Sequence, residues 1–113
     1  MSTVILGIET SCDDTGVSIV VDGHLIKSNV IASQTSIHNQ HGGIVPELAS
    51  RQHIRDIMPV IDLSLQESEM DITDIDIISA TYGPGLAGSL ITGLNAAKAI
   101  SMCLGKPFYG VNH

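Results

Sequence analysis

Two neighbouring carboxylates, Asp13 and Asp14, lie in the stretch Glu9-Thr10-Ser11-Cys12-Asp13-Asp14-Thr15-Gly16. Adjacent like charges repel, and a turn has no structural need of them. Among small hydroxyls on a tight turn they read as a site for a cation or a phosphate–metal group. The other reading is a solvated turn of ordinary turn-formers. A second stretch, Gly83-Pro84-Gly85-Leu86-Ala87-Gly88, matches G-x-G-x-x-G between an apolar run and a helical segment. A helix start of this kind offers free backbone donors to an anion; equally, glycine serves the sterics of a sharp strand-to-helix turn. No Gly-Lys-Ser/Thr follows, so it is not a Walker loop, and the strands that open the chain argue against a dinucleotide fold. His38 and His41 have a His-x-x-His spacing without a third ligand nearby, so they are expected to be solvated.

The elements that must hold these residues follow from periodicity and breakers. Thr3–Ile8 and Val17–Val21 are short β-branched runs, expected to pair as an antiparallel hairpin around Glu9–Gly16. Asp22-Gly23 signals a two-residue turn into a third strand, Leu25–Ala32. Ser33–Gly43 reads as a polar loop. Pro46 and Glu47 open a helix running to about Gln66. Ile54, Ile57, Met58, Ile61 and Leu65 form its expected apolar face, Val60 and Leu63 lie nearly opposite, and Pro59 predicts a kink or break. After an acidic connection, Glu67–Asp74, the apolar run Ile75–Tyr82 reads as a fourth strand buried on both faces. A second helix follows the glycine loop to about Leu104, stopped by Gly105 and Pro107. It is apolar almost all round, which predicts burial on more than one side. Ser89, Gly93, Ala97 and Ser101 form a small-residue stripe suited to close approach. Phe108–Val111 completes the set.

At 113 residues the chain is expected to be one domain, or one lobe of something larger. Hydrophobic residues make up 43% of it, which argues against disorder. The two cysteines, Cys12 and Cys103, suggest no disulfide framework, which fits a reducing, cytoplasmic setting. No signal peptide is read at the N-terminus, and Asn95, Lys98 and interrupting glycines argue against a membrane span. With a formal net charge of −7 and five scattered basic residues, Lys27, Arg51, Arg55, Lys98 and Lys106, there is no basic patch to neutralise several phosphates. RNA affinity is therefore expected to come from elsewhere.

The order βββαβαβ, with right-handed crossovers placing the last two strands parallel to the first, implies an α/β fold with a mixed five-stranded sheet. This order resembles the ribonuclease H-like lobe of the actin/hexokinase/Hsp70 superfamily, and the resemblance implies that the first hairpin carries acids near nucleotide phosphates and metal. Three motifs sharpen the resemblance: Gly7–Gly16, Gly42–Arg51 with His53, and Tyr82–Ser89. Together, end to end along the chain, they resemble the TsaD family, formerly called O-sialoglycoprotein endopeptidase or glycoprotease.

The resemblance implies one lobe, here the N-terminal one with the second absent, of a tRNA N6-adenosine threonylcarbamoyltransferase. It implies threonylcarbamoyl-AMP and tRNA as substrates, a divalent metal (iron or zinc), a nucleotide between lobes, and partners of the TsaB and TsaE kinds. Asp13 and Asp14 become candidate catalytic residues, Asp14 standing where many relatives have Glu. Ser11, Thr15, His38, Glu47, Arg51, His53, Gly83 and Gly85 become candidates near substrate or nucleotide. His113 matches the first histidine of a His-x-x-x-His metal motif. On this reading the 113 residues alone are expected to be inactive, to bind no metal or nucleotide tightly, and to self-associate as dimers through their helices. The alternatives are a non-catalytic scaffold of the TsaB type and a metallopeptidase, the latter lacking any His-Glu-x-x-His.

Overall fold

Alternating apolar and small or polar residues give the central strands two unlike faces. The computed structural model, which describes residues 2–113, has β1 (Val4–Glu9), β2 (Asp14–Val21), β3 (Leu25–Ser33), α1 (Thr35–Asn39), α2 (Pro46–Ser68), β4 (Ile77–Gly83), α3 (Ala87–Leu104) and β5 (Phe108–Asn112), with a short 3-10 turn at Ile72–Asp74. The sheet order is β3-β2-β1-β4-β5. β1 pairs antiparallel with β2, β2 with β3, while β4 runs parallel to both β1 and β5. This is the expected mixed five-stranded sheet.

The β2–β3 turn holds three residues, Asp22, Gly23 and His24, since Val21 pairs with Leu25, one more than expected; positive φ at Asp22 (55°) and Gly23 (77°) follows the right-handed twist of the flanking strands. Pro46 opens α2 as read, and Gly105, at φ 65°, closes α3. α2 and α3 pack side by side on one face of the sheet, α2 against β2 and β3, α3 mainly against β4 and β1. Beneath them Val4, Leu6, Ile8, Val17, Ile19, Val21, Ile78 and Ala80 form the sheet's half of the core. The other sheet face, with Gly7, Gly16, Ser18 and Ser79, is a shallow hollow walled by Ile31 and Val111. Among the described residues, no helix is long and apolar enough to cross a membrane.

Several expectations need correction. Asp14 is the first residue of β2, paired with Ser33, so the turn shrinks to Thr10–Asp13. Ser33–Gly43 contains the short α1, and His38 in it is buried rather than solvated, whereas His41 is exposed. α2 is one unbroken helix through Pro59. Its buried stripe is Ala49, His53, Ile57, Val60, Ile61, Ser64 and Ser68, so Val60 faces the core and Ile54 and Met58 face outward. The reason is polar docking: the Ser64 hydroxyl bonds Ser28 Oγ at 2.6 Å and donates to the Val17 carbonyl. α3 is buried on one side only, along Ser89, Gly93 and Ala97, leaving Ile91 and Met102 exposed.

That stripe seats the end of β1. The Thr10 hydroxyl donates to the Ser89 carbonyl (2.6 Å) and accepts from the Gly93 amide (3.1 Å), joining one rung of α3. A Cβ on Gly93 would collide with Thr10 Oγ1. Alanine at an unhindered helix position gains up to about 1 kcal/mol over glycine; here overpacking of about 1–3 kcal/mol outweighs it. Gly93→Ala is therefore expected to lower stability in urea unfolding by roughly 1–2 kcal/mol, whereas Gly43→Ala, with open space around its Cβ, is expected to be neutral or mildly stabilising.

Candidate functional site

The candidate site sits at the carboxyl ends of the parallel strands β1, β4 and β5, where open α/β sheets place ligands. Three stretches singled out in the sequence meet there: the hairpin tip Thr10–Asp13, the loop after β4, and His113.

The tip lies outside the strand ladders, since β1–β2 pairing ends at Glu9 with Gly16. Its backbone polar groups must find other partners. Ser11 donates its amide to Glu9 Oε1 (2.5 Å) and its carbonyl accepts from the Leu86 amide (2.7 Å). The Cys12 carbonyl accepts from His53 Nε2 (2.8 Å). Gly85 abuts the Ser11 carbonyl so closely that no Cβ fits there. This loop glycine is thus required by the hairpin tip. Gly83, the last residue of β4, uses its carbonyl to hold the His113 amide at 2.7 Å.

What remains open is a small cleft lined by Glu9, Ser11, Cys12, Asp13, Asp14 and His113. Asp14 is exposed and Asp13 and Cys12 are half-buried. Burial pushes the Cys12 thiol up, and the negative charges of Asp13 and then Asp14 add to it, so the thiolate is disfavoured. Glu9, which sequence reasoning did not select, anchors the cleft floor. Its Oε2 accepts from the Thr81 hydroxyl at 2.6 Å and lies 3.6 Å from His113 Nε2. Burial raises its pKa, but hydrogen bonds from Ser11 and Thr81, with the charge of His113, outweigh this and hold it below the ordinary glutamate value. The available signal was its position: a charged residue closing a strand otherwise built of apolar residues and glycine.

The other sequence candidates divide. Thr15 and His53 are fully buried and bonded to each other, Thr15 Oγ1 to His53 Nδ1 at 2.7 Å. His38 is buried in a chain of bonds: Val45 N–H donates to its Nδ1, its Nε2 donates to Gln34 Oε1, and Gln34 Nε2 donates to the Ala49 carbonyl. These three side chains position backbone and are closed to a ligand. Ser11 is likewise buried. Glu47 and Arg51 are exposed and line a separate cleft with Pro46, Ser50 and Gly88 between the starts of α2 and α3. Among the described residues, no three His, Cys, Asp or Glu side chains come together as a metal group. His113 with Glu9 does not constitute a metal centre, so no chemical step is assigned to a metal.

A family model described as TsaD, tRNA N6-adenosine threonylcarbamoyltransferase, matches residues 25–113. A curated tRNA N6-adenosine threonylcarbamoyltransferase from Caldicellulosiruptor saccharolyticus is 54% identical over 110 residues, covering 97% of this chain and 33% of that protein. One of the same name from Desulfotalea psychrophila is 50% identical over 113 residues, covering 100% of this chain and 33% of that protein. Among solved structures, YeaZ from Pseudomonas aeruginosa superposes with a TM-score of 0.71 at 16% identity, over 97% of this chain and 45% of that one; this likeness concerns the fold. The chain thus spans about a third of the length of the curated relatives it matches.

Glu9 yields a pH prediction. Its pKa is lowered on folding, so its contribution is present above the unfolded value, about 4.3, and is lost as the pH falls through the folded value. Glu9→Gln is expected to lower stability at pH 7 by no more than about 1 kcal/mol, because the side chain is partly solvated. That difference should vanish in urea titrations repeated at progressively lower pH below about 4.

Proposed function

The chain belongs to the TsaD family of tRNA N6-adenosine threonylcarbamoyltransferases, and from that premise we propose that it is the N-terminal actin-like lobe of such an enzyme. The reaction moves the threonylcarbamoyl group of threonylcarbamoyl-AMP to N6 of the adenosine 3′ of the anticodon in tRNA. The observation that carries this reading is the convergence of the hairpin tip and His113 on one cleft at the strand ends, both held there by the glycine loop packed behind them.

In the proposed step the adenosine N6 attacks the carbamoyl carbon. A C–N bond forms, the C–O bond to the phosphate breaks, AMP leaves with the electron pair, and the attacking nitrogen loses a proton. Asp13, half-buried at the tip, is the residue assigned to that proton. Asp14, on the strand start beside it, orients the cleft's solvent and adds negative charge. Glu9 supports the floor by fixing Ser11 and Thr81. On this reading the lobe that would close the nucleotide site is not among these 113 residues. A cytoplasmic setting fits this role.

The acidic charge of the lobe leaves tRNA binding to that second lobe and to partners of the TsaB and TsaE kinds. α2 exposes Ile54, Met58 and Leu63, and α3 exposes Ile91 and Met102. This helical layer is the proposed docking surface for the TsaB-type partner, and for a second copy when that partner is absent. Sedimentation of the 113-residue chain is expected to show dimers that Met58→Glu disperses; a wild-type monomer at high concentration would rule out the self-association.

The catalytic assignment is tested in a full-length context, with residues 1–113 replacing the matching segment of the Caldicellulosiruptor saccharolyticus relative. Asp13→Asn is expected to reduce threonylcarbamoyl transfer to tRNA by about 100-fold or more, with unchanged folding by circular dichroism. Unimpaired transfer by that variant would remove Asp13 from the mechanism.

A further inference from the structure

We propose that His53, acting through Thr15, is a positioning residue: its ring is a strut that brackets the acid pair and sets the direction in which Asp13 is presented. The proposal rests on the reading above in which Asp13 acts on substrate. His53 itself is fully buried on α2 and cannot touch a ligand.

The geometry is specific. One edge of the ring meets the Cys12 carbonyl at 2.8 Å and the other meets Thr15 Oγ1 at 2.7 Å. Residues 12 and 15 flank Asp13 and Asp14 on either side, so a single rigid ring spans the base of the tip. A carbonyl oxygen only accepts, so Nε2 carries the proton; in the neutral ring Nδ1 is then bare and accepts from the Thr15 hydroxyl. The Cys12 carbonyl thereby fixes the tautomer, and the Thr15 hydroxyl complements it by donating to the bare Nδ1.

Holding that carbonyl has a further effect. The Cys12–Asp13 peptide is planar, so its amide N–H points opposite to its C=O. With the carbonyl drawn toward α2, the plane at which the chain enters Asp13 is fixed. Thr15 points into the core, so Asp14, one residue earlier on the strand, projects to the opposite face. The other anchors of the tip act at Thr10, from Ser89 and Gly93, and at Ser11, from Glu9 and Leu86. At Cys12 the anchor is His53. Neutral imidazole suits this position because it offers a donor and an acceptor on opposite edges of one inflexible ring.

Two measurements test the strut. In the 113-residue chain, long-range nitrogen–proton NMR correlations are expected to show His53 with its proton on Nε2; a proton on Nδ1 of a neutral ring would overturn the proposal. In the full-length chimera, Thr15→Val keeps the side-chain shape and removes the donor to Nδ1. Its kcat is expected to fall on the order of tenfold, as for a slightly misplaced catalytic group, with KM for threonylcarbamoyl-AMP and for tRNA unchanged. Thr15→Ser, which restores the hydroxyl, is expected to recover the rate to within about twofold of wild type. His53→Gln, which cannot brace both ends at once, should behave like Thr15→Val. A purely structural histidine would instead lower the melting temperature and leave kcat of the folded enzyme intact, and that result sinks the proposal. If Asp13→Asn abolishes transfer while Thr15→Val and His53→Gln do not slow it, the strut fails and the site reading stands. If Asp13→Asn is silent, both fall together.

Discussion

The architecture depends on one hydroxyl. Thr10 reaches from the end of β1 into α3, donating a hydrogen bond to the Ser89 carbonyl and accepting one from the Gly93 amide. That contact is available only because Gly93 has no side chain in the way. It fixes where α3 starts relative to β1, and so where the loop before α3 lies. Leu86 can then donate to Ser11 and Gly85 can pass against the Ser11 carbonyl. The hairpin tip, which has no strand partner, is held by these helix-side groups together with His53.

A consequence is that much of the glycine and hydroxyl content of the motifs serves the protein's own backbone. Gly85 and Gly93 make room for β1 and the tip. Ser11 and Thr15 are turned inward to Glu9 and His53. Apart from Ser11, the groups that line the cleft are few: Asp13, Asp14, Cys12, Glu9 and His113. A motif with many polar positions thus reduces to a small set open to the cleft carried on a larger positioning set.

The topology was legible because each connection carries its own punctuation. Asp22-Gly23, Pro46, Gly105 and Pro107 bound the elements nearly where the structure has them, and β-branched runs mark the strands. The face of α2 was legible only in part: Ile57, Ile61 and Leu65 were read onto it and do pack on the core, but the helix also docks through His53 and Ser64, whose value lies in partners some 38 and 36 residues away in sequence. Polar residues in a helical stripe look solvent-facing until those partners are placed. The same holds for His38, whose ring is satisfied by Gln34 and Val45. Glu9 escaped notice for a related reason: it reads as the end of a strand, and only the fold brings Thr81 and His113 to it. Motif spacing gathered these residues at one end of the molecule but could not separate side chains open to the cleft from those that hold the backbone.

The insertion of β1 between β2 and β4 also has a temporal side. The β1–β2–β3 meander closes through short turns and can form as soon as those residues exist. The rungs that join β1 to β4, and the Thr10 contact with Ser89 across 79 residues, must wait until β4 and the start of α3 have been made. Closing so long a loop is entropically slow compared with hairpin formation. During synthesis on a ribosome the acid-bearing tip therefore exists first as an unsupported turn, and it acquires its fixed shape only when α3 emerges to receive it.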